Sequence, residues 1–173
     1  MQGYVDNLCE EIRYTAQKAD QAGLNLKTIY MGGGTPTAIT ASMLEQVMKT
    51  VQECFDLSKV LEYTVEAGRP DCTDLEKLKI IKKYGANRVS INPQTFQDNV
   101  LKAIGRNHSH ADFLRCVADA REAGFESINM DLIAGLPDES FEDFCSSVDT
   151  AISLAPENIT VHTLALKRSS DLN

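Results

Sequence analysis

Apolar residues recur at steps of three and four over residues 4–23, where Val5, Leu8, Cys9, Ile12, Ala16 and Ala19 share one face and Gly23 supplies a stop. That period predicts a helix. A short β-prone run at 27–31 follows and stops at three glycines. The helical period returns from a Thr40 N-cap to Phe55, with Met43, Leu44, Val47, Met48, Val51 and Phe55 on one side. Residues 61–67 read as the second strand, ended by Gly68-Arg69-Pro70. Thr73 and Glu76 have the spacing of a capping box, and Leu75, Leu78 and Ile81 give the inward face of the helix that box opens. The third strand is predicted over 87–92, a short helix near 98–104 and a longer one over 111–123. The fourth strand spans 127–133, a helix 141–154 and the fifth strand 158–165, while the polar tail 167–173 is expected to fray.

Helix and strand therefore alternate five times with short connections. This requires right-handed crossovers and a parallel α/β sheet covered by helices. Two closures satisfy the pattern, an open doubly wound sheet and part of a (β/α) barrel. A length of 173 residues with 43% hydrophobic residues suits a single domain with a sizeable core. The net charge of −8 argues against a nucleic-acid or membrane-surface binder. No apolar run reaches the roughly 18 residues a membrane span needs, and residues 2–7 do not resemble a signal sequence, so a cytoplasmic protein is expected. Cys9, Cys54, Cys72, Cys116 and Cys145 are scattered with no CxxC or CxxxC pair, which reads as reduced thiols without a local metal or cluster site. Cys54, Cys116 and Cys145 fall in helical patterns as small core residues.

Candidate chemistry collects where strands end. The first predicted strand runs into Gly32-Gly33-Gly34-Thr35, the second ends at Glu66, and the third at Asn92 with Gln94 just beyond. The fourth carries Asp131 and the fifth His162 and Thr163. In parallel α/β folds this edge is where ligands bind, so polar ends on all five strands suggest one concave site. Consecutive glycines are costly to order and are retained where a turn needs positive φ or where backbone approaches a ligand closely. Each residue also has a structural role open to it: Glu66 as a helix cap, Asp131 in an ion pair, Arg106 as a surface charge, the glycines as a plain turn. The loop matches neither G-x-x-x-x-G-K-[ST] nor G-x-G-x-x-G. His108 and His110 have no acidic or cysteine partner nearby that would make them metal ligands.

Five segments together resemble one family: Tyr30-Met31-Gly32-Gly33-Gly34-Thr35-Pro36-Thr37, Val65-Glu66-Ala67, Ile91-Asn92-Pro93-Gln94-Thr95-Phe96, Ile104-Gly105-Arg106, and 129–137, which reads NMDLIAGLP. In order and spacing they are similar to the radical S-adenosylmethionine enzymes, and within them to the oxygen-independent coproporphyrinogen III oxidase (coproporphyrinogen dehydrogenase) branch. That branch includes a haem chaperone and haem-degrading enzymes. The resemblance implies a (β/α)6 partial TIM barrel and S-adenosylmethionine as cofactor. Gly33, Gly34 and Thr35 would meet the methionine amino group and Arg106 its carboxylate, while Glu66, Gln94 and Asp131 would line the amino and ribose sides. The implied reaction forms a 5′-deoxyadenosyl radical and oxidatively decarboxylates porphyrinogen propionates in haem biosynthesis, so the implied partner is a tetrapyrrole.

The family's Cys-x-x-x-Cys-x-x-Cys, which ligates a [4Fe–4S] cluster, has no match here. By this resemblance the chain is an internal fragment, strands two to six of the barrel, with neither the cluster loop nor the C-terminal substrate segments. Its parent would be a radical enzyme, and the fragment itself is expected to be inactive. Strand edges left unpaired are expected to promote self-association.

Overall fold

The computed structural model describes residues 1–165, so the tail predicted to fray lies outside the described residues. The elements run α1 (Gln2–Gln21), β1 (Thr28–Met31), α2 (Ala41–Cys54), β2 (Glu62–Glu66), α3 (Leu75–Lys83), β3 (Arg88–Ser90), α4 (Asp98–Ala103), α5 (His110–Glu122), β4 (Ser127–Ala134), α6 (Phe141–Ser153) and β5 (Asn158–Thr163). The strands form one parallel sheet in the order β1-β2-β3-β4-β5. Every crossover steps in the same direction. A doubly wound sheet reverses direction at a switch point, so the one-way order selects the partial barrel.

The two faces of the sheet differ sharply. Tyr63, Val65, Val89, Ile128, Met130 and Leu132 are at most 1% exposed. They pack in one cluster against Leu44 and Met48 of α2, Leu78 and Ile81 of α3, Phe113 and Cys116 of α5, and Ala151 of α6. Each large apolar side chain so buried contributes about 1.5–3 kcal/mol. Helix α1 lies on α2 through a smaller cluster of Val5, Cys9 and Val47. Because strand side chains alternate, the residues between those core positions point to the other face, and there they are polar: Glu62, Thr64, Glu66, Arg88, Asn129 and Asp131. A barrel filled for stability alone carries branched aliphatic residues at such positions.

Thr40 caps α2 as predicted, accepting from the Met43 amide at 3.3 Å. The cap of α3 is different from the prediction. Asp74, not Thr73, accepts from the Lys77 amide at 2.8 Å. Thr73 is instead buried and donates to the Thr37 hydroxyl at 2.9 Å, joining two loops. Among the cysteines, Cys9 and Cys116 are core residues, whereas Cys54, Cys72 and Cys145 are half-buried. No helix of the described residues is long and apolar enough to cross a membrane.

Candidate functional site

A cavity of about 150 Å³ opens at the C-terminal edge of the sheet. Its wall is built from the loop after β1 (Gly33, Gly34, Thr35), the end of β2 (Glu66) with Gly68 and Arg69 beyond it, Asn92 and Gln94 after β3, and Arg106 after α4. Six of the seven predicted site residues thus meet in one place. Asp131 is the exception, standing one strand over.

The three glycines stand in three different situations. A Cβ on Gly32 would lie 2.5 Å from Tyr30 Cε1 and 3.1 Å from Glu66 Oε2. Gly33 has φ +115°, which L side chains rarely adopt, although the space beside it is open. Gly34 has neither constraint: its φ is not positive, and a Cβ would meet nothing within 4 Å. Protein packing gives no reason for a glycine there, whereas a ligand lying against the backbone would. The Thr35 hydroxyl donates to the Gly34 carbonyl at 2.8 Å.

Glu66 is fixed by a hydrogen bond from the Tyr30 hydroxyl. Partial burial, that bond and the negative charges of Glu66 and Asp131 push the Tyr30 phenol up to about 12. The phenol is therefore a donor at neutral pH and Glu66 an acceptor. Gln94 is a non-glycine residue at φ 67°. Strand β4 holds it there from both sides: its amide donates to the Asp131 carbonyl at 3.0 Å, and its carbonyl accepts from the Ile133 amide at 2.8 Å. Such a conformation persists where the surroundings over-determine it, commonly at functional sites. The Asp131 side chain faces the polar side of the sheet, where it accepts from the Asn129 amide at 2.7 Å, with His162 Nε2 4.0 Å away. Through Gln94 it is tied to the cavity by backbone.

Arg106 is half-buried. Desolvation lowers its pKa, the charge of Arg69 adds to the effect and Asp71 opposes it; a guanidinium stays charged regardless. His108, two residues on, is buried with no partner on either ring nitrogen. Desolvation and the Arg106 charge lower the His108 pKa, which favours the neutral ring. Lys77 joins the loops after β1 and β2, both of which contribute to the cavity wall. Its ammonium donates to the Thr37 and Cys72 carbonyls at 2.8 Å each, beside the Thr73–Thr37 bond.

Below the cavity the polar face continues as a hydrogen-bonded network. Arg88 pairs with Glu62 at 3.1 Å and donates to Asn129 Oδ1 at 3.2 Å, and the Asn129 amide donates to Ser90 at 2.9 Å. Sequence reasoning missed Arg69, Tyr30, Lys77 and this network. In the sequence Arg69 reads as part of a strand stop. A signal for the network was available: the period-two alternation in β2–β4 places polar residues opposite the apolar ones.

A [4Fe–4S] cluster does not fit the described residues. No group of three His, Cys, Asp or Glu side chains is placed to hold a metal. Cys9, Cys54, Cys116 and Cys145 lie on four separate helices and Cys72 in a loop.

The fold has counterparts among known proteins. The sequence profile described as Radical SAM superfamily matches residues 3–151. The chain belongs to the radical SAM superfamily. Its relatives include a coproporphyrinogen-III oxidase-like protein and heme chaperones. It is 41% identical over 175 residues to the oxygen-independent coproporphyrinogen-III oxidase-like protein HemZ of Bacillus subtilis, covering 98% of this chain and 35% of that protein. It is 40% identical to the heme chaperone HemW of Bacillus subtilis, covering 95% of this chain and 43% of that protein. The solved coproporphyrinogen III oxidase HemN of Escherichia coli superposes with a TM-score of 0.81 at 29% identity, over 95% of this chain and 38% of that one. The chain thus spans less than half the length of these relatives.

Proposed function

We propose that this chain is the S-adenosylmethionine-binding part of a longer radical enzyme that acts on a tetrapyrrole, its parent being an oxygen-independent coproporphyrinogen III oxidase-like protein. Gly34 carries the reading, as a glycine the protein's own packing does not require on the wall of a polar cavity. Bound there, S-adenosylmethionine would supply radical chemistry that opens C–H bonds. The chain's residues bind and orient. The Gly33 and Gly34 backbone would accept from the methionine ammonium, Arg106 would pair with the carboxylate, and Glu66, held by Tyr30, would accept from the ribose. Gln94 and Asp131 complete that side. The cluster ligands belong to a part of the parent outside this chain, as do further substrate contacts.

A haem chaperone parent is the second reading, favoured by the 40% identity to HemW. Both readings use the same cofactor site. Arg106→Ala in the cluster-loaded parent tests it: a charge-assisted bond worth about 1.5–3 kcal/mol is lost, so S-adenosylmethionine should bind roughly tenfold to a hundredfold more weakly by calorimetry. An unchanged dissociation constant removes Arg106 from the site.

A further inference from the structure

The cavity wall carries two guanidinium groups and one carboxylate. Arg69 and Arg106 both stand on its wall. Among the described residues neither has a carboxylate within 4.0 Å, although the chain has 25 acidic residues against 17 basic ones. Arg88, Arg115 and Arg121 by contrast each hold an acid, Glu62, Asp112 and Glu157, and the other described arginine without one, Arg13, is exposed on α1. Asp71 acts on Arg106 only from beyond that distance and is not on the wall. Glu66, the acid on the wall, accepts from the neutral Tyr30 phenol and pairs with neither arginine within 4.0 Å.

The Arg69 backbone is held in place. Its carbonyl accepts from the Cys72 amide at 3.0 Å in a turn, Pro70 next to it is buried, and Lys77 ties down the Cys72 carbonyl. Keeping two like charges together in a confined site is unfavourable unless an anion joins them. The methionine end of S-adenosylmethionine has a single carboxylate, which one guanidinium fork satisfies, and its ammonium and sulfonium add positive charge. A second anion is therefore called for once the cofactor is in place.

We propose that Arg69 anchors a second anionic subsite in this cavity, receiving a carboxylate of the substrate next to the cofactor held by Arg106. This rests on the cofactor reading of the cavity. It assigns the two arginines separate duties, Arg106 to the cofactor and Arg69 to the substrate.

The experiment uses the full-length, cluster-reconstituted parent with saturating S-adenosylmethionine. The probe is coproporphyrin III, a tetracarboxylate, followed by its fluorescence, with its tetramethyl ester as the uncharged control. Arg69→Gln should weaken coproporphyrin III binding roughly tenfold or more while S-adenosylmethionine affinity and stoichiometry stay within about twofold of wild type. Arg69→Lys should recover part of the loss, and the ester should bind Arg69→Gln and wild type alike. Unchanged coproporphyrin III affinity in Arg69→Gln overturns the proposal, and so does a loss of S-adenosylmethionine affinity or stoichiometry in its place. A wild-type protein that takes up no S-adenosylmethionine overturns the cofactor reading itself, and that result appears without any Arg69 variant.

Discussion

Substituting alanine for Gly33 and for Gly34, one at a time, separates a glycine needed by the fold from a glycine needed by a ligand. At Gly33 the backbone has φ +115° and the space around the missing Cβ is open. The penalty is therefore conformational strain, about 1–3 kcal/mol. For a domain of this size each kcal/mol shifts the melting temperature by roughly 2–4 °C, so Gly33→Ala should melt several degrees lower. At Gly34 no strain and no neighbour oppose a methyl group. Alanine there reduces the freedom of the unfolded chain and should leave stability unchanged or raise it by about 0.4–1 kcal/mol. Its cost falls on binding. A methyl group projecting where the ligand meets backbone displaces the ammonium from its acceptors, a loss of about 1.5–3 kcal/mol and roughly tenfold to a hundredfold in affinity. Thermal melting of both variants, with S-adenosylmethionine calorimetry on the cluster-loaded parent, reads the two effects separately. A Gly34→Ala protein that is stable and binds as tightly as wild type would refute the reasoning, as would a Gly34→Ala protein that melts lower than Gly33→Ala.

Two further outcomes are expected. Lys77→Met removes the donor shared by the Thr37 and Cys72 carbonyls; with about 1.5–3 kcal/mol at stake per charged bond in full burial, less at this half-buried site, cofactor affinity should fall severalfold with only a small loss of melting temperature. Equal affinity would mean the two loops hold their positions without it. The chain by itself, treated anaerobically with iron and sulfide and then desalted, should retain no stoichiometric iron and show no broad visible charge-transfer absorption, because its cysteines do not converge. A stable four-iron cluster on this chain would contradict that.

The alternation of helix and strand was legible because the burial that drives folding leaves a period of 3.6 in α2 and α5 and apolar alternate positions in β2–β4. Closure of the sheet was not, since both candidate topologies bury the same faces. It took the strand order to separate them, and the motif resemblance to favour the barrel beforehand. The α3 cap was misassigned because Thr73 and Asp74 are both good capping residues. What decides between them is the hydroxyl of Thr37, thirty-six residues away, which takes Thr73 into the core. Six residues that line the cavity could be named in advance since strand ends and motif spacing are local properties. Arg69 could not, because its meaning comes from standing on the same wall as Arg106 without an acid. The left-handed backbone of Gln94 was equally hidden: it is imposed by β4 and by nothing in its own neighbourhood of the sequence.

The central claim is that the cavity at the sheet's C-terminal edge is an S-adenosylmethionine site, and a crystal structure of the cluster-loaded parent with S-adenosylmethionine tests it most directly. The account predicts the methionine carboxylate on the Arg106 guanidinium, the ammonium against the Gly33–Gly34 backbone, and the ribose on the Glu66 side. Cofactor density elsewhere in the protein, with solvent filling this cavity, would contradict it.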